Sequence, residues 1–154
     1  METIEANTIV FSTEGKLPKL EKVYYTGKIH TTGGREGASV SSDGHLDIKL
    51  STPGTNKPGT NPEQLFAAGW SACYMSALGI AAKQLNVPFP VDAAVDAEVD
   101  LGSNEGGYVL QARLNVSLPG LDRDVAQVLA ETAHATCPYS KLTKGNINVT
   151  IALV

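Results

Sequence analysis

From Leu65 to Ala82 the chain runs for eighteen residues without a charge, LFAAGWSACYMSALGIAA. A stretch of that length either crosses a membrane or lies at the centre of a folded domain. The run is rich in Ala, Gly and Ser, and no aromatic belt or basic cluster brackets it. Membrane-spanning helices carry those anchors at their ends, so the run reads as the buried helix of a soluble protein. Its start is written in the sequence: Asn61 suits the N-cap, Pro62 the first helical position, and Gln64 stands at N3 to complete a capping box. The helix is expected to continue to about Leu85, where Asn86, Pro88 and Pro90 stop it.

A central helix needs sheets to cover it, and the flanking segments supply them. LEKVYYTGKIHTT (20–32) has Val, Tyr and Ile at strand spacing, and GGREG (33–37) is a turn. SVSSDGHLDIKLS (39–51) reads as a hairpin turning at Asp43-Gly44. TIVF (8–11) reads as a short strand, and TPGTNKPGT (52–60) as a loop. Beyond the helix, VDAAVDAEVDLG (91–102) and GYVLQARLNVSL (107–118) alternate apolar and polar residues, as an antiparallel pair joined at SNEGG does. A second helix follows with Asp122 as cap and Val125, Leu129 and Ala133 on one face; NINVTIALV closes the chain as a strand. The order predicts one α+β domain spanning residues 1–154.

The formal charge of −4 and the scattered nine lysines and three arginines give no track for a phosphate backbone. Nucleic acid is therefore not an expected partner. Glu2 and Glu5 stand where a secretory signal would be basic, so a cytoplasmic protein is expected. There Cys73 and Cys137, the only two cysteines, are more readily catalytic, metal-binding or inert than a structural bridge.

Cys73 lies twelve residues past the N-cap, about three turns into the helix. The helix dipole does not reach that far, so an apolar shell would raise its pKa and leave it inert. A reactive thiolate needs a cation brought from elsewhere in the chain. Arg35 stands in a glycine turn from which a guanidinium could reach a neighbouring element, whereas Arg113 is mid-strand and Arg123 is in the first turn of a helix. Glu63 is a natural carboxylate partner for Arg35, but it stands ten residues from Cys73, about 15 Å along a straight helix and on another face. A bend near Gly69, a bridge by Arg35, or a second subunit would each reconcile the two. Cys137 ends a helix before Pro138. His134 nearby permits a metal reading, but His30, His45 and His134 offer no zinc-finger spacing, and no metal is expected.

Four separated blocks, TTGGREG, SSDGHLDIKLSTPG, NPEQLFAAGWSACYMSAL and ATCPYSKLTKGNINV, resemble the organic hydroperoxide resistance branch of the Ohr/OsmC family. The likeness covers about residues 20 to 154 and leaves 1–19 as an N-terminal extension. It implies an OsmC-like fold, with antiparallel sheets packed around the long helix in an intertwined homodimer. It also implies that Cys73 is the peroxidatic cysteine and Cys137 the resolving one, with Arg35 holding the thiolate and Glu63 its salt-bridge partner. Leu65, Phe66, Trp70, Met75 and Tyr139 are candidates for an apolar wall that receives the substrate. Plain core packing explains each of these five equally well.

The chemistry implied needs no cofactor. The thiolate reduces an organic hydroperoxide, becomes a sulfenic acid and condenses with Cys137, and a dithiol reductant, usually a lipoylated protein in this family, reopens the disulfide. Two other readings remain: the sister OsmC type with wider peroxide preference, and a small-molecule or lipid-binding domain with inert cysteines. The short TPGTNKPGTNPEQ loop bears on entry to the pocket and so on substrate preference.

Overall fold

The computed structural model describes residues 17–154. The strand expected at 8–11 and nearly all of the 1–19 extension lie outside the described residues. The elements run β1 (Ile29–Thr32), β2 (Ala38–Ser41), β3 (Asp47–Lys49), α1 (Pro62–Gln84), β4 (Ala94–Asn104), β5 (Gly107–Ser117), α2 (Arg123–Thr136), α3 (Pro138–Thr143) and β6 (Asn148–Leu153).

Helix α1 begins where its caps dictate. Asn61 is extended, and its side chain accepts the Gln64 N–H at 2.9 Å. Only half of the capping box forms, because the Gln64 side chain accepts from the Thr60 hydroxyl at 2.8 Å instead of reaching back to Asn61. The helix ends at Leu85, and Asn86 takes a left-handed φ of 53° before Pro88.

One stripe of α1, Trp70, Tyr74, Ala77, Leu78, Ala81 and Ala82, is buried. It packs with Leu114 and Val116 of β5 and with Leu129 and Ala133 of α2. Each large side chain buried there contributes about 1.5–3 kcal/mol. The opposite stripe, Ala68, Ala72, Ser76 and Ile80, is exposed. A helix apolar on all sides is thus covered on one side only by its own chain.

Two three-stranded sheets flank this helix in sequence. In the first, β1, β2 and β3 pair antiparallel in that order. The turn between β2 and β3 falls at the expected dipeptide, with Gly44 at φ 76°, a region a side chain rarely enters. In the second, β4 and β5 pair along their full length around Glu105-Gly106, from Ala94 opposite Ser117 to Asn104 opposite Gly107. Strand β6 then joins β5 in parallel. That corrects the expectation of purely antiparallel sheets: α2 and α3 form a crossover long enough to bring the chain back in the same direction.

Two more corrections concern elements. The strand expected over 20–32 is a strand only from Ile29. Residues 17–28 lie exposed, with Tyr24 at 87%, and meet the sheet at the Lys28 carbonyl, which accepts the Ser42 N–H at 3.0 Å. Their alternation suits a strand, yet among the described residues no sheet edge pairs with them before Lys28. The six residues after Cys137 form α3, which was not foreseen: Pro138 takes its first position, where a missing N–H costs nothing.

Candidate active site

Arg35 stands in the short helical turn Gly34–Glu36 between β1 and β2. A Cβ at Gly37 would sit 1.8 Å from the Thr32 carbonyl oxygen, so the chain reverses there only because that residue is glycine. From this turn the Arg35 guanidinium forks onto Glu63 in the first turn of α1, at 2.9 and 2.6 Å. The hydrogen bond to Arg35 is the main reason the Glu63 carboxyl is held below its ordinary range. Glu36 anchors the same turn from the other side, accepting the backbone N–H and hydroxyl of Thr52 and the Lys57 ammonium at 3.4 Å. The turn is latched to the helix by Arg35 and to the 52–60 loop by Glu36.

At the midpoint of α1, Cys73 meets Cys137. Their sulfurs are 3.2 Å apart across 64 residues of sequence, with both thiols free. Cys137 is fully buried at the corner between α2 and α3, in an extended conformation (φ −62°, ψ 124°) that the following proline favours. Cys73 is half-buried. Burial first, and then the Cys137 thiol, push its pKa above the ordinary value, while the backbone N–H of Tyr139 pulls it down. In this arrangement the Arg35 guanidinium is engaged by Glu63. The four residues thus meet in two separate contacts, Arg35 with Glu63 and Cys73 with Cys137.

Among the five candidate wall residues, Trp70 takes the core alternative. It is 0% exposed, and its indole N–H donates to Ser140 Oγ at 3.1 Å, so it belongs to the core. Leu65, Phe66, Met75 and Tyr139 are each partly exposed. The Phe66 ring lies 5.5 Å from Trp70 and 6.0 Å from Tyr139, centroid to centroid. Sequence reasoning missed a second surface. Beside the Arg35–Glu63 pair opens a cleft of about 810 Å³ whose far wall is Ala97, Val99 and Leu101 of β4 with Tyr108 of β5. The alternation along β4 places the first three on one face, the signal by which they were legible. Among the described residues no group of three metal-ligating side chains occurs, and His134 Nδ1 is buried without a partner.

Comparison with known proteins bears on this arrangement. Residues 54–152 match the family described as OsmC-like protein. The organic hydroperoxide resistance protein of Xanthomonas axonopodis pv. citri (strain 306) is 47% identical over 137 residues, 86% of this chain and 96% of that one. The chain belongs to the Ohr/OsmC family. Its other relatives in the family include organic hydroperoxide resistance protein OhrB of Bacillus subtilis (strain 168), 42% identical over 84% of this chain and 97% of its own. The crystal structure of B. subtilis OhrB superposes with a TM-score of 0.81, covering 86% of this chain and 100% of that one at 41% identity. The two sheets and long helix are therefore the Ohr/OsmC fold. The helix that is long and apolar enough to cross a membrane is the central helix of that fold.

Proposed function

We propose that this chain is a thiol-dependent peroxidase that reduces organic hydroperoxides to alcohols and serves resistance to oxidative stress. The observation that carries the reading is the contact of two free thiols, Cys73 and Cys137, at 3.2 Å. The names of its relatives, organic hydroperoxide resistance proteins, support the substrate class.

In this mechanism the Cys73 thiolate attacks the distal oxygen of ROOH. The O–O bond breaks, the alkoxide leaves and takes a proton to become the alcohol, and Cys73 keeps one oxygen as sulfenic acid. The Cys137 thiol then attacks that sulfur; the S–S bond forms, the S–O bond breaks and water leaves. A dithiol, a lipoylated protein in the proposal, returns both cysteines to thiols by exchange.

Because burial disfavours the thiolate, Arg35 has to bring its charge to the sulfur for the first step, and Glu63 holds the guanidinium close by until then. The cleft beside Arg35, with Ala67 on the helix and Val99 and Leu101 on β4, receives the organic part of the peroxide. No metal or cofactor takes part. The reading places the protein in the cytoplasm as a homodimer, in which a second copy covers the exposed stripe of α1 and the exposed segment 17–28.

Stopped-flow mixing of the reduced protein with an alkyl hydroperoxide tests the proposal, with Cys73→Ser and Cys137→Ser alongside and free thiols counted afterwards. Expected are rapid consumption in wild type ending in one intramolecular disulfide, no consumption above buffer in Cys73→Ser, and sulfinic acid on Cys73 in Cys137→Ser. Arg35→Met should slow consumption about a hundredfold, the order seen when one charged transition-state contact is removed. A wild type no faster than Cys73→Ser would end the peroxidase reading.

A further inference from the structure

The sulfurs of Cys73 and Cys137 touch without a bond between them, so something else holds their two segments in place. Trp70 lies three residues before Cys73 on α1, and Ser140 lies three residues after Cys137 on α3. The Trp70 indole N–H donates to Ser140 Oγ at 3.1 Å. The two contacts, 73 with 137 and 70 with 140, are thus successive rungs between α1 and the α2–α3 corner. Both Trp70 and Ser140 are buried, at 0% and 1% exposure.

The neighbourhood fits a locating contact. A Cβ at Gly69 would stand 3.0 Å from Tyr139 Oη, so α3 lies close over α1 at this point. On the far side of the sulfur pair, Tyr74 Oη donates to the Ala130 carbonyl of α2 at 2.7 Å. Packing alone would be met by Phe and Ala at 70 and 140, since replacing both members of a buried hydrogen-bonded pair by apolar groups can be nearly neutral. An indole N–H is a donor only and needs an acceptor when buried. A polar pair adds direction: it fixes how far α3 slides along α1.

We propose that Trp70 and Ser140 are positioning residues for Cys137: their hydrogen bond sets the register of α3 on α1 and so holds the second thiol against the first. The role in disulfide closure rests on the peroxidase reading above, whereas the geometric role does not. Disulfide formation in glutathione buffer exchanges two thiols and oxidised glutathione for one intramolecular disulfide and two reduced glutathiones. It therefore measures the effective concentration of one cysteine at the other with no peroxide present.

The test compares wild type, Ser140→Ala and the double variant Trp70→Phe/Ser140→Ala, each reduced and checked for native circular dichroism. The double variant keeps the comparison valid if the single one, left with an unpartnered N–H, does not fold. Expected is a fall of at least tenfold in effective concentration. In single turnover with an alkyl hydroperoxide, the disulfide-forming phase should slow at least tenfold more than the phase that consumes peroxide, and Cys73 sulfinic acid should rise. A folded double variant whose effective concentration lies within twofold of wild type overturns the proposal. If wild type ignores hydroperoxide while the glutathione value falls tenfold in the variants, the peroxidase reading fails and the positioning role stands.

Discussion

Glu63 and Arg35 form the site's one forked ion pair, and their exposure differs: 13% for the carboxylate side chain, 42% for the guanidinium. Since the folded pKa of Glu63 is depressed, the unfolded chain binds the proton more readily. The stabilisation by the pair is therefore complete above the ordinary value of 4.5 and is lost as pH falls through the lower folded value. The stability gap between wild type and Glu63→Gln, followed by urea denaturation, should be constant from pH 7 to 5 and shrink below 4.5; a gap independent of pH would show that the pair contributes nothing through charge. The pairings of Cys73 with Cys137 and of Arg35 with Glu63 were legible because four sequence blocks resemble one family. Taken singly, each had an ordinary structural explanation. Trp70 stood open between pocket wall and core because a helix apolar all round does not announce which side its own domain covers. Only the packing of α2 and α3 reveals that this indole faces inward.

At the level of elements, the 33–37 turn is the most constrained piece of backbone. Gly37→Ala puts a methyl group against a carbonyl it cannot avoid, 1.8 Å away. The turn has to open, and both of its latches, Arg35 to Glu63 and Glu36 to Thr52, are strained together. The variant should lose at least 1 kcal/mol, about the scale of Gly-specific backbone effects. It should also lose most activity towards hydroperoxide while Cys73 stays alkylatable; a fully active Gly37→Ala would show that the latched turn is dispensable. Elements with local signals were legible: α1 by Asn61 and Pro62, the β2–β3 hairpin by Asp43-Gly44, and the β4–β5 ribbon by its alternation. Those set by distant partners were not. Residues 20–27 have a strand's pattern but no sheet edge among the described residues, and β6 is parallel only because two helices intervene. Helix α3 is too short for periodicity to mark it.

For the whole molecule, joining residues 73 and 137 would close a loop of 64 residues, for which chain entropy gives about 4 kcal/mol of stabilisation. Denaturant midpoints of the oxidised and reduced protein should differ by that order; equal midpoints would indicate strain that cancels the entropic gain. Ala72 sits in the exposed stripe of α1, the surface proposed above to be covered by a second copy. Sedimentation should find wild type dimeric and Ala72→Glu largely monomeric, whereas an unchanged dimer would place the contact elsewhere. The chain has one tryptophan, and it is the one bonded beside the sulfur pair. Thiols and disulfides quench an adjacent indole to different extents, so the brightness of a single ultraviolet emitter follows the oxidation state of every copy, without a dye, a tag or a trapping reagent.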